Sequence, residues 1–181
     1  MKYLATSIVL FFFIASTEIL QAQWMQTNGP GGGVVNCFAF SGSNIFAGTD
    51  NGVYLSTNSG SSWTAVNNGL HEQVMALAVS GTNLIAGIHL DGIYLSTNNG
   101  TSWTAVYKGF TSVNAFAVNG TNIFASGGDG VLLSTNNGTS WAAVNNGLPK
   151  YDWINAFTVS GTNLFAGYDL GGGYISQQIM E

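Results

Sequence analysis

Ser56-Thr57-Asn58-Ser59-Gly60-Ser61-Ser62-Trp63 decides the fold, because it comes back twice, as Ser96-Thr97-Asn98-Asn99-Gly100-Thr101-Ser102-Trp103 and as Ser134-Thr135-Asn136-Asn137-Gly138-Thr139-Ser140-Trp141. The three tryptophans fall 40 and 38 residues apart (103 − 63 and 141 − 103). A period of about forty, filled with short apolar runs and turn residues, is the mark of an array of small β-sheets stacked on one another.

Working outward from the second copy, Gln73 to Val79 is β-rich and Ser80-Gly81-Thr82-Asn83 has turn chemistry. Leu84 to Ile88 reads as a second strand, Asp91-Gly92 as a hairpin, and Ile93 to Ser96 as a third strand. Asn98-Asn99-Gly100 turns again, and Trp103 to Val106 makes a fourth. Asp-Gly and Asn-Gly suit tight hairpins, whose central residues need positive φ. Runs of about five residues between such turns predict a four-stranded antiparallel sheet.

The first strands, Val35 to Ala39, Val74 to Ala78, Val113 to Ala117 and Ile154 to Thr158, begin 39, 39 and 41 residues apart. They are apolar on both faces with small residues interleaved, as expected of strands buried on both sides. That pattern suits the inner strands of radially stacked blades, where space narrows toward the axis. The fourth strands each carry a tryptophan large enough to bridge to the next sheet.

The reading is an all-β chain, a β-propeller of four-stranded antiparallel blades. Its units run over about 34–66, 73–106, 112–144 and 153–176. Trp24-Met25-Gln26-Thr27-Asn28-Gly29 repeats the fourth strand Trp63-Thr64-Ala65-Val66-Asn67-Asn68-Gly69. A strand over 24–28 is therefore expected to complete the C-terminal blade and close a ring of about four blades. The competing reading is a partial propeller, because Gln177 to Glu181 match nothing in the repeat.

Lys2, the apolar run Leu4 to Ala15 and the junction Leu20-Gln21-Ala22 read as a signal peptide over 1–22, with the repeat domain over 23–181. The apolar run of 12 residues is shorter than the roughly 20 that a membrane span needs. The mature chain is thus expected to be secreted, periplasmic or on the cell surface, without a membrane span. With 3 basic residues, none of them arginine, and 8 acids, the chain carries a net charge of −5. That balance argues against nucleic acid and against anionic membrane surfaces as partners. Cys37, the sole cysteine, lies in an apolar run and reads as a buried small hydrophobe.

The repeated octet resembles the Asp-box, or BNR repeat, written Ser-x-Asp-x-Gly-x-x-Trp. All three copies keep the serine (Ser56, Ser96, Ser134), glycine (Gly60, Gly100, Gly138) and tryptophan (Trp63, Trp103, Trp141). Asparagine stands at the aspartate place, as Asn58, Asn98 and Asn136. The resemblance implies a structural turn between the third and fourth strands of a blade. Asparagine can accept the same bonds from backbone N–H groups. The family includes sialidases, other glycoside hydrolases, sortilin-type receptors and photosystem II assembly factors. Sialidases of this kind clamp a carboxylate with arginines, and a chain without arginine cannot do so.

Once the repeat is explained, candidate function is confined to where it breaks. The first-to-second and third-to-fourth loops are nearly identical between units, and they share one face. The second-to-third and blade-to-blade loops share the other face and vary. A rigid repeat presenting varied loops is a binding arrangement. Strand adjacency predicts that His71 and Glu72 lie near His89 and Asp91. Such a group is able to bind a ligand, hold a divalent ion or do acid–base work, or is simply solvated. The same logic sets Tyr151, Asp152 and Trp153 near Tyr168 and Asp169, where aromatics beside carboxylates suit a sugar ring. The resulting expectation is a non-enzymatic binding or scaffold module for a protein or glycan ligand, with no metal, cofactor or catalytic residue assigned. A glycoside hydrolase-like module, or a fragment of a larger Asp-box enzyme, is the alternative.

Overall fold

The computed structural model describes residues 25–148, 153–168 and 174–178. The first blade is β1 (Val35–Ser41), β2 (Asn44–Thr49), β3 (Gly52–Ser56) and β4 (Thr64–Ala65). The second is β5 (Val74–Ser80), β6 (Asn83–Ile88), β7 (Gly92–Ser96) and β8 (Thr104–Lys108). The third is β9 (Ala115–Asn119), β10 (Asn122–Gly127), β11 (Gly130–Ser134) and β12 (Ala142–Ala143). The fourth shows three strands among the described residues, β13 (Ile154–Ser160), β14 (Asn163–Tyr168) and β15 (Tyr174–Gln178). Each sheet is antiparallel, with its strands in chain order.

The blades stack face to face by one rule. Each inner strand turns small side chains to the following blade and large ones to the preceding blade. Leu77 and Val79 of β5 pack with Ala39 of β1. Phe116 and Val118 of β9 pack with Ala76 and Ala78 of β5, and Phe157 and Val159 of β13 pack with Ala117 of β9. Three apolar cores result, one per junction, with Phe46, Ile85 and Ile123 fully buried. Large against small lets inner strands approach closely while still filling the space.

The octets fold as expected of turns. In each, the serine hydroxyl accepts from the glycine N–H, at 2.9, 2.8 and 2.9 Å for Gly60, Gly100 and Gly138. The asparagine Oδ1 accepts from the N–H of Ser62, Ser102 or Ser140 at 2.9, 2.9 and 3.0 Å. The asparagine at the aspartate place therefore does the work of an acceptor for backbone amides. The following Ser59, Asn99 and Asn137 take φ of 55–56° with glycine after them, so the turn needs two successive positive φ values.

Three expectations change. The Asp91-Gly92 hairpin is not a two-residue turn with both φ positive: Gly92 (φ 131°) is already the first residue of β7, and Leu90 (φ 58°) carries the left-handed turn. The inner strands are not all buried on both faces. On β1, Phe38 and Phe40 are 54% and 63% exposed, and on β13 Ala156, Thr158 and Ser160 are exposed. Finally, residues 25–30 form no strand, so the described part of the N-terminal strand expected over 24–28 is not paired with any sheet. The signal segment 1–22 lies outside the described residues.

Cys37 is half-buried beside Gly48, and burial pushes its thiol up to about 11. It is protonated and a poor nucleophile at neutral pH.

Candidate functional site

Blade two is where the repeat breaks most. Its hairpin between β6 and β7 holds three residues, His89, Leu90 and Asp91, between the paired Ile88 and Gly92. The equivalent loops of blades one and three hold two, Asp50-Asn51 and Gly128-Asp129. The extra residue forces a left-handed position, and Leu90 occupies it with its side chain 68% exposed. A bulky residue at positive φ is uncommon and strained. The loop is fixed by His89 N–H donating to the Gln73 carbonyl at 2.9 Å and by Leu90 N–H donating to the Thr111 carbonyl at 3.1 Å.

The outer strand breaks the repeat at the same place. In blades one and three the tryptophan strand ends in Asn67-Asn68 and Asn145-Asn146. Asn67 Oδ1 accepts from Val53 N–H at 2.6 Å, and Asn145 Oδ1 from Val131 N–H at 2.8 Å, which closes each outer strand. Blade two has Tyr107-Lys108 instead, and β8 runs on until Lys108 pairs with Gly92. That extension brings Lys108 to the variable loop. Its Nζ donates to Asp91 Oδ1 and to the Tyr94 hydroxyl, each at 3.1 Å, and sits 5.4 Å from the centre of the Tyr94 ring. The Tyr94 hydroxyl donates in turn to the other oxygen of Asp91.

These groups tune one another. The Tyr94 hydroxyl, ahead of Lys108, holds the Asp91 carboxyl below the usual carboxylate range. Burial, then the bond to Asp91, pushes Tyr94 up, and the bonds to Tyr94 and Asp91 push Lys108 up. A carboxyl with a depressed folded-state pKa stabilises the fold above its unfolded value, about pH 4, and loses that contribution as pH falls through the folded value. The urea midpoint difference between native protein and Asp91→Asn is therefore expected to be present at pH 6 and to shrink toward pH 3. A difference that stays constant across that range would show that the pair does not titrate.

Leu70, His71, Glu72, Ile88, His89, Leu90, Asp91, Tyr94 and Lys108 line one cleft of about 590 Å³ on the variable face. His71, Glu72, His89 and Asp91 thus share it. Tyr94, Lys108 and Leu90 were missed from sequence; Tyr94 repeats Tyr54 and gave no signal, but for Lys108 and Leu90 the signal was present. Tyr-Lys in place of Asn-Asn and one extra loop residue both fall in the same repeat. No three His, Cys, Asp or Glu side chains among the described residues form a group able to hold a metal ion.

Two other described acids of this face, Asp50 and Asp129, are tied into the scaffold. Asp50 accepts from Asn36 Nδ2 at 3.0 Å and Gln73 Nε2 at 2.6 Å, and these bonds hold its carboxyl low. Asp129 accepts from Thr111 N–H at 2.7 Å and from the Thr111 hydroxyl, joining two neighbouring loops. Trp153 lies against Gly128 and is 48% exposed, so it is not a core residue. The backbone of Tyr168 pairs with Ile154, which sets it beside Trp153 in register. Tyr151, Asp152 and Asp169 lie outside the described residues.

No family model and no curated protein matches the sequence. Solved structures do. The chain is similar to the computationally designed Ika4 protein over 88% of its length and 100% of that chain, with a TM-score of 0.70 at 14% identity. The fold is a β-propeller. YCF48 bound to D1 peptide is matched with a TM-score of 0.64 and 15% identity, over 82% of this chain and 52% of that one. The GH74 xyloglucanase from Xanthomonas campestris is matched with a TM-score of 0.61 and 16% identity, over 80% of this propeller chain and 29% of the enzyme. The chain thus spans about half the length of one and less than a third of the other. At these identities the likeness is one of fold. No helix among the described residues is long and apolar enough to cross a membrane.

Proposed function

We propose that this chain is a secreted or cell-envelope binding module, not an enzyme, and that it takes a polypeptide segment in the cleft of blade two. One observation carries the reading: the repeat breaks at the hairpin loop, the outer strand and the blade-to-blade segment of a single blade, and all three breaks line one cleft. The cleft mixes apolar and charged groups. The projecting Leu90 offers grip for an aliphatic side chain above the buried Leu70 and Ile88, while Glu72, the histidines and Lys108 offer partners for backbone and polar groups. YCF48, a propeller of the same fold, is known with a peptide bound.

The hydrolase alternative has less support. Glycoside hydrolysis needs two carboxyl groups free to act as acid and base or nucleophile. Asp91 is engaged by Tyr94 and Lys108, which leaves Glu72 as the other acid lining the cleft.

Selection of arrayed peptides on the immobilised protein tests the proposal, with Leu90→Gly and Lys108→Ala as comparison variants. Leu90→Gly removes the apolar projection and relaxes the positive φ, so it leaves the fold at least as stable. Each variant is expected to weaken the selected peptides about tenfold or more, the loss of roughly 1.4 kcal/mol. Peptides bound equally by both variants would move the site elsewhere. Turnover of chromogenic glycosides would overturn the non-enzymatic reading.

A further inference from the structure

The packing rule that joins the blades leaves one half of a junction open at each end of the array. At one end, β1 presents Phe38 and Phe40, which hold the places of Leu77 and Val79 but are 54% and 63% exposed. At the other, β13 presents Ala156 and Thr158, which hold the places of Ala76 and Ala78 but are likewise exposed. Large against small is the pairing made at each of the three internal junctions. The open faces are therefore complementary to each other.

Two further observations mark the β1 face as one half of a junction. Phe38 and Trp63 lie 6.3 Å apart at 43°, the geometry of Phe116 and Trp141 at 6.1 Å and 44°. The latter pair is packed into the junction of blades two and three. Trp103 Nε1 donates across a junction to the Val66 carbonyl of the preceding blade at 2.8 Å. Trp63 Nε1 is buried and finds no acceptor among the described residues. A buried indole N–H without a partner is costly. Trp141 Nε1 meets that need inside its own turn, at the Gly138 carbonyl (3.1 Å), and Trp103 Nε1 across a junction, so a preceding blade is one of the two sources of the acceptor that Trp63 lacks.

We propose that a second copy of this chain supplies it. The Phe38 and Phe40 face of each copy docks on the Ala156 and Thr158 face of the other, closing a two-fold ring. Among the described residues the two faces do not meet, since Phe38, Phe40, Ala156 and Thr158 are all exposed, and the array superposes on 52% of the longer propeller YCF48, as an arc of a larger ring does. A head-to-tail interface leads to open polymers unless the rotation closes, and two half-rings close it with no face left over. Closure also removes exposed strand surface that invites aggregation. Thr27 holds the place of Val66 in the repeat. Laid along the fourth blade of the other copy, its carbonyl would stand where Trp63 Nε1 needs an acceptor.

Sedimentation equilibrium on the full chain at micromolar concentration tests the proposal. Twice the mass of one chain is expected for the native protein, and the mass of one chain for Phe38→Asp/Phe40→Asp with an unchanged β-sheet circular dichroism signal. A native monomer, or a dimer that survives both substitutions, would overturn it. A cross-link keeps the question open to test if the double variant fails to fold. Ser80 Oγ lies 3.4 Å from the Gly120 carbonyl across a junction, and Ser160 and Gly42 hold those places at the open ends. In a Cys37→Ala background, Ser43→Cys with Ser160→Cys and a short bismaleimide is expected to give covalent two-chain species. A cross-link within single chains would show that each chain closes its own ring, and no cross-link would show that the faces do not meet.

Discussion

Replacing Gly92 by alanine is expected to lower stability by about 3 kcal/mol or more. Two costs fall on one residue. The backbone has φ 131°, a region that residues with a Cβ rarely adopt. The added Cβ would also overlap the carbonyl oxygen of Tyr107 and come within 3.1 Å of Lys108 Cα, both in the paired strand β8. Backbone in a ladder cannot swing aside as a flexible side chain can. Gly81 gives the contrast, because it has φ 60° and open space around its Cα. Gly81→Ala should lose only the cost of a left-handed residue, about 1–2 kcal/mol. Urea titration of both variants, followed by circular dichroism, measures the difference, and equal losses would mean that the strand contact does not matter. Gly92→Ala should also weaken the cleft ligand, because the Gly92–Lys108 pair carries Lys108 to Asp91.

Trp103→Ala is the second large effect, about 3–5 kcal/mol. The indole is 6% exposed and belongs to the core between blades one and two. Truncation leaves a cavity there and removes the bond to the Val66 carbonyl, so that carbonyl loses its indole donor. Trp103→Phe separates the terms. It keeps most of the apolar volume and should cost only about 1–2 kcal/mol. Because the contact crosses a junction, the alanine variant should also reduce cooperativity, with blade one melting ahead of the rest. A single sharp transition of native slope in urea would count against that coupling.

Much of this was legible in the chain. The octets announced themselves by repetition, and their serine, asparagine and glycine have no other reason to recur together than the turn they build. His71, Glu72, His89 and Asp91 were placed together from strand adjacency, and they line one cleft. Leu90, Tyr94 and Lys108 were not placed there. Tyr94 matches Tyr54 of the first repeat, so repetition gives no reason to single it out, and Lys108 reaches the cleft only because a strand of five residues replaces one of two. Leu90 carries its information in φ, which a sequence does not display.

The sequence by itself determined the blade. Strand length, turn chemistry and the spacing of tryptophans are local properties, and each unit repeats them closely enough that no other sheet fits. What only the tertiary structure decided is which faces are covered. Phe38 and Leu77, or Ala156 and Ala76, are equivalent in the repeat, yet one member of each pair is packed and the other open. Burial depends on whether a neighbour stands beside the sheet, and no residue encodes its neighbour's presence. The same holds for the cleft, where one added loop residue and one lengthened strand act only once they are folded side by side.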